Sequence, residues 1–255
     1  MKKGHKLVAI ILAAGSGSRY KDAQGMPKQF VPLAGKPLVN YSLETFASSP
    51  KVSSLIVVIP SASQDFFAEK IHKTLSNTVK DKLDKPVIGG DTRWTSAANG
   101  LDALNDISDE DCLVAIHDAA RPFVSLQLID KCISAAAAND GSALAMPITD
   151  TLGFAPEGNS SARYLKDTPP RSAYYAMQTP QIFRASLLRK AYAWVKQQTN
   201  PQNFTDDCSI ILAYNKLLKI AIVEGSSDNM KLTYSADSHG LEAILKNHSS
   251  CNCNS

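Results

Sequence analysis

The residues of this chain best equipped for chemistry crowd near its start, in Leu12-Ala13-Ala14-Gly15-Ser16-Gly17-Ser18-Arg19 followed by Pro27-Lys28-Gln29. Small residues directly after an apolar run let backbone N–H groups approach phosphate oxygens closely, and Arg19 and Lys28 add cationic donors. Charge points the same way. Between Ser16 and Lys36 stand Arg19, Lys21, Lys28 and Lys36 against Asp22 alone, so this segment carries +3, as much as the net +3 of the whole 255-residue chain. An anionic ligand is expected there. Two familiar phosphate motifs are excluded. A dinucleotide fingerprint would need glycine at position 20, where Tyr20 stands, and an acid at the end of the second strand, where Ile59-Pro60 stands. A P-loop needs Gly-Lys-Ser/Thr, and Gly35-Lys36 is followed by Pro37.

Other residues present two readings each. Asp118, ending a strand in His117-Asp118-Ala119-Ala120-Arg121, would sit near the carboxyl edge where α/β sheets bind ligands. A carboxylate there suits Mg²⁺, which takes few protein ligands; a helix or turn cap is the alternative. Asp228 is either a second metal carboxylate or a turn residue. Asp91 either contacts a ligand or caps the helix carrying Trp94. His117 is expected to tether backbone rather than act as a general base. The remaining histidines have no ligand spacing, and no HExxH occurs.

These side chains need a scaffold, and the chain supplies alternating signals. Leu7–Ala13, 54–59, 86–88, 112–116 and 143–147 are short β-rich runs, near-continuous in apolar residues as strands buried on both faces are, and 217–223 is another strand. Between them, 37–47 opens with a proline where a first helical turn tolerates it. Trp94, Ala97, Ala98, Leu101 and Leu104 share one helical face. The Ala-rich 126–138 follows Ser125, a natural N-cap. Helices are also expected over 185–195, 205–214 and 237–246. The fold class is therefore α/β, a doubly wound, mostly parallel, Rossmann-like sheet with right-handed crossovers. Residues 1–246 form one domain, from which the aperiodic stretch 151–178 projects as an arm; 247–255 is expected to fray.

Composition narrows the class further. With 44% hydrophobic residues and a small net charge, disorder is not expected. The mild positive balance does not argue for nucleic acid. Five cysteines without CxxC spacing make a disulfide framework or zinc site improbable and favour a reducing compartment. No apolar run reaches the roughly 20 residues of a membrane span. Lys2, Lys3 and Lys6 before Leu7–Ala14 imitate a signal peptide, but a ligand loop follows directly, so a cytoplasmic enzyme is expected.

The motif AAGSGSR with a later PKQF resembles nucleotidyltransferases that join a nucleoside triphosphate to a sugar or polyol phosphate. GGDTRWTS (89–96), HDAARPF (117–123), DT (150–151), QTPQIF (178–183), TDD (205–207) and DNMKLT (228–233), in that order, resemble the 2-C-methyl-D-erythritol 4-phosphate cytidylyltransferase family, across about 7–246. The resemblance implies transfer of the cytidylyl group of CTP onto a polyol phosphate with release of pyrophosphate, in isoprenoid precursor biosynthesis, with Mg²⁺. It implies Arg19, Lys28 and Lys231 around the reacting phosphates and Ala13, Ala14, Gly15 and Gly17 along the nucleotide. Gly90, Asp91 and Ser96 would recognise base and ribose, and Arg121, Thr151, Arg171 and Thr205 the polyol phosphate. It also implies a homodimer through the 151–178 arm, which donates its Thr and Arg to the neighbour. Asp150-Thr151-Leu152-Gly153 departs from the family's usual Asp-Thr-x-Lys. Ribitol 5-phosphate cytidylyltransferases can also lack that lysine and stand as the alternative, whereas HDAARP and TPPR (168–171) favour the methylerythritol branch. A catalytically silent scaffold is a third reading, opposed by the joint presence of Arg19, Lys28, Asp118 and Lys231.

Overall fold

The computed structural model describes residues 6–15, 17, 20, 26–104, 112–156, 163–198 and 204–251. The strands are β1 (Lys6–Leu12), the short pair β2 (Pro32–Leu33) and β3 (Lys36–Pro37), β4 (Val52–Ile59), β5 (Val87–Ile88), β6 (Cys112–Asp118), β7 (Gly141–Pro147), β8 (Tyr175–Arg184) and β9 (Ile220–Glu224). The helices are α1 (Leu38–Ser48), α2 (Gln64–Phe66), α3 (Asn77–Lys80), α4 (Arg93–Asp102), α5 (Leu126–Ala138), α6 (Ala185–Lys196), α7 (Asp207–Tyr214) and α8 (Asp237–Cys251). The main sheet runs β5-β4-β1-β6-β8-β7-β9. Neighbours in it are parallel except at β8, which is antiparallel to both β6 and β7.

β1 shows why the apolar runs do not alternate. Leu7 through Ile11 are all fully buried, because helices cover both faces. Leu7, Ala9 and Ile11 join the layer containing α1 and α5, while Val8 and Ile10 meet α4, α6 and α7. The sheet is thus doubly wound as expected. Local signals act as read at α5, where the Ser125 side chain accepts from Leu128 N. At α4 the cap is Thr92, in a reciprocal capping box with Thr95. Asp91 is therefore not the cap, and that alternative falls.

Three expectations need correction. The arm does not reach Gln178: Tyr175 already pairs with Pro147, so the stretch that leaves the sheet spans 148–174 and its far end returns in β8. The second correction concerns the tail, where α8 continues to Cys251, beyond the expected end at 246; 252–255 lie outside the described residues. Third, a run of short helical turns occupies 61–80, a stretch in which the sequence reading placed no element. The arm itself is held by Phe154 N donating to Asp167 O at 2.8 Å and carries exposed Phe154, Tyr164 and Leu165. No helix among the described residues is long and apolar enough to cross a membrane.

Candidate active site

The loops after β1, β5 and β6 open onto a cavity of about 700 Å³ at the carboxyl edge of the sheet. β1 hands over to its loop through Ala13 N, which donates to Val58 O at 2.7 Å. Gly17 turns the chain with φ +63°, a conformation natural to glycine, and Tyr20 N closes the turn on Gly17 O at 2.7 Å. On the opposite wall, Ser96 Oγ accepts from Gly90 N at 3.1 Å and donates to Thr92 O at 2.9 Å. The Ser96 hydroxyl thus shapes the glycine turn that exposes Gly90 and Asp91 to the cavity. Gly89 is where that turn touches the β1 loop: a Cβ there would press on Ala14 and lie 2.8 Å from Ser96 Oγ.

Charge is concentrated on one carboxylate. Asp118 Oδ2 accepts from Lys231 Nζ at 2.6 Å, and Oδ1 accepts from Arg93 Nε at 3.1 Å. Burial alone would push this carboxyl up, but Arg93, Lys231 and Arg121 hold it well below the usual carboxylate range. Its side chain caps nothing, so the cap reading falls. Lys28, half-buried, donates to Leu232 O at 3.0 Å and so links the PKQF turn to the Met230–Thr233 segment.

His117 behaves as a tether. It is fully buried, with Nε2 3.0 Å from Arg121 O and Nδ1 3.0 Å from Thr179 Oγ1. Burial pushes its imidazole from 6.5 down to about 4. The unfolded chain therefore takes up this proton near 6.5 while the folded one resists it until about 4. The His117 contribution to stability is complete above about pH 6.5 and is lost as pH falls toward 4. Thermal melts across that window should show a shallower acid slope for His117→Gln than for the unmodified chain; equal slopes would acquit the histidine.

Of the anticipated residues, Ala13, Ala14, Gly15, Gly17, Lys28, Gly90, Asp91, Ser96, Asp118, Thr205 and Lys231 all line this cavity. Arg19 lies outside the described residues. Arg121 does not line it: Nη1 donates to Asn229 O at 2.8 Å and Nη2 to Met177 O at 3.2 Å. Within one chain its fork braces β8 against the segment after β9. Thr151 and Arg171 sit exposed on the arm and do not line the cavity either; Arg171 Nη1 bonds Thr149 O. Asp228 occupies a 3₁₀ turn where its N–H meets Ser226 Oγ, away from the cavity lining. Five wall residues carry no role in the sequence analysis, Leu12, Gln29, Thr92, Arg93 and Ala120. The Gln29 Nε2 and Arg93 Nη2 atoms are both buried without a partner.

Paired lysines and a glycine-shaped loop at the carboxyl edge of a doubly wound sheet suit chemistry in which one phosphate must approach another, the work of a nucleotidyltransferase. The sequence profile of the 2-C-methyl-D-erythritol 4-phosphate cytidylyltransferase family matches residues 7–247, and the chain belongs to that family. A protein of that name from Thermobifida fusca is 34% identical over 241 residues, 94% of each chain. One from Porphyromonas gingivalis is 36% identical over 233 residues, 91% of this chain and 94% of its own. The crystal structure of 4-diphosphocytidyl-2C-methyl-D-erythritol synthase from Anaerococcus prevotii superposes with a TM-score of 0.78 at 28% identity, covering 95% of this chain and 97% of that one. The chain is thus a CTP-dependent cytidylyltransferase.

The close approach at Gly89 carries a prediction. Gly89→Ala must displace the Ala14 loop or the Ser96 hydroxyl, since the Cβ would meet both. Displacing a positioned ligand by about 1 Å can cost about 100-fold in rate. CTP-dependent pyrophosphate release should fall by about that factor, with the melting temperature little changed because the site lies at the sheet edge; unimpaired release would show that the turn yields.

Proposed function

We propose that this enzyme joins CTP to 2-C-methyl-D-erythritol 4-phosphate, giving 4-diphosphocytidyl-2-C-methyl-D-erythritol and pyrophosphate for isoprenoid precursor synthesis in the cytoplasm. The observation that carries it is the convergence of Lys28, Lys231 and Asp118 on one cavity with the backbone of the Ala13–Gly15 loop, in a chain of this family. An oxygen of the polyol phosphate attacks the α-phosphorus of CTP. A new P–O bond forms as the bond to the bridging oxygen of the β-phosphate breaks, and pyrophosphate leaves with that electron pair. A phosphate nucleophile needs no base at neutral pH, so positioning and charge neutralisation dominate. Lys28 and Lys231, with Arg19, offset the charge of two approaching anions. Ala13, Ala14, Gly15 and Gly17 take the nucleotide along their backbone, and Gly90 and Asp91 take base and ribose.

Asp118 is the residue that would hold Mg²⁺. It is a hard oxygen donor facing the cavity, and among the described residues no three His, Cys, Asp or Glu side chains form a cage. That donor set suits an ion that keeps waters and phosphate oxygens as ligands. When bound, the ion would neutralise triphosphate charge.

The arm from β7 to β8 pairs two chains and carries Thr151 and Arg171 to the neighbour's polyol phosphate. Exposed Phe154, Tyr164, Leu165 and Tyr174 on one projecting segment support this pairing, as does the placement of both residues off their own chain's cavity. Three buried free cysteines, Cys112, Cys132 and Cys208, fit a reducing compartment. The test is a substrate panel: pyrophosphate release with CTP, Mg²⁺ and either methylerythritol 4-phosphate or ribitol 5-phosphate. Preference for the former is expected; release with ribitol 5-phosphate alone would overturn the assignment of the polyol.

A further inference from the structure

The TDD motif contains two aspartates to which the reaction above gives no role. Asp206 is the N-cap of α7, its side chain accepting from Ser209 N at 2.9 Å. Asp207 is different. It is fully buried, its Oδ1 accepts from Tyr192 OH at 2.6 Å, and its Oδ2 accepts from Arg93 Nη1 at 2.8 Å. The same guanidinium reaches Asp118 through Nε, and Asp118 reaches Lys231. A continuous chain thus runs from Tyr192 on α6 through Asp207 on α7 and Arg93 on α4 to the cavity.

Arg93 does not hold this position by itself. It opens α4, where the helix dipole disfavours a cation, and its long side chain has many rotamers. Asp207 faces it from the first turn of α7, where a carboxylate is favoured. Two carboxylates on different elements leave the planar fork one orientation, which lysine could not reproduce. The remaining Nη2 is buried in the cavity wall with no acceptor. A purely architectural ion pair between α4 and α7 would not need to share its guanidinium with Asp118.

We propose that Asp207, braced by Tyr192, is a positioning residue for the transfer reaction: it orients Arg93, which in turn fixes the Asp118–Lys231 pair. This rests on the cytidylyl-transfer reading, but it can be read in CTP affinity as well as turnover and does not depend on which polyol is accepted. Asp207→Asn strips a buried pair and risks unfolding, so the decisive variant is Tyr192→Phe, which removes one hydroxyl and keeps the ring. Tyr192→Phe should remain folded by circular dichroism and lose about tenfold in kcat, the lower end of what loss of an orienting partner costs. In an Arg93→Gln background the same change should cost nothing more, because the chain is already cut. Where turnover of the double variant is too slow, calorimetric CTP affinity reads the same cycle. Full turnover in Tyr192→Phe with only a lowered melting temperature would reduce the chain to architecture, and an equal loss in both backgrounds would place the effect of Tyr192 elsewhere. Failure of the unmodified enzyme to bind CTP would instead strike the functional reading.

Discussion

Lys28→Ala is expected to lower turnover about 10²–10³-fold, the usual cost of deleting one preorganised charge donor from a phosphoryl site. The reason is placement rather than charge in general. Lys28 faces the cavity, is half-buried, and is steadied by its bond to Leu232 O at 3.0 Å. On the proposed reaction, charge that accumulates as the α-phosphate is attacked would meet an ammonium already in position, with no reorganisation needed. Lys28→Arg keeps the charge but replaces a compact ammonium with a wide planar fork, so partial recovery is the expected result. Pyrophosphate release under saturating substrates measures both, with circular dichroism to confirm folding. Near-normal kcat for Lys28→Ala would remove this lysine from the chemistry and leave it as a tie between two loops.

Much of this site was legible because its parts sit beside unambiguous local signals. The small residues from Ala13 to Gly17 follow an apolar run, and Lys28 lies in a short cationic segment, so phosphate chemistry could be read from spacing alone. The strands also announced themselves, since burial on both faces leaves runs such as Leu7–Ile11 without polar interruption. β8 was hidden for the converse reason. Its centre reads Gln178-Thr179-Pro180-Gln181, which looks like loop, yet all four residues are buried. Their polar atoms are consumed by partners far away in sequence: Thr179 Oγ1 accepts from Asp118 N at 3.1 Å, and Gln181 Oε1 accepts from Asp207 N at 2.9 Å. Hydrophobic periodicity cannot register a core strand whose polar side chains serve as anchors.

Arg93 and Arg121 make the same point about side chains. Both lie in motifs that were noticed, but spacing alone could not show where their forks would end. Arg93 meets an aspartate 114 positions later, and Arg121 a carbonyl 108 positions later. The first becomes part of the cavity wall and the second, within one chain, a brace behind it. Thr151 and Arg171 were read as polyol contacts, and their exposure on the arm makes sense for that role only if a second chain supplies the cavity they serve.

That requirement yields the other large effect. On the proposed arrangement Arg171→Ala and Lys231→Ala should each be nearly inactive alone, since each would strip every site of one cation meant for phosphate. In a two-fold dimer with exchanged arms, each site combines Lys231 of one chain with Arg171 of the other. Mixing the two inactive variants then produces heterodimers in which one site carries both lesions and its counterpart carries neither. Equal random mixing makes about half the dimers hetero, each with one intact site of two, so roughly a quarter of unmodified activity should return. Recovery must follow subunit exchange in time, which differently tagged chains would report independently. If Arg171 served its own chain's site, each heterodimer site would instead carry one lesion, and mixing would restore nothing. Exchange without recovery would therefore end the swapped-arm arrangement and return Arg171 to a role within its own chain.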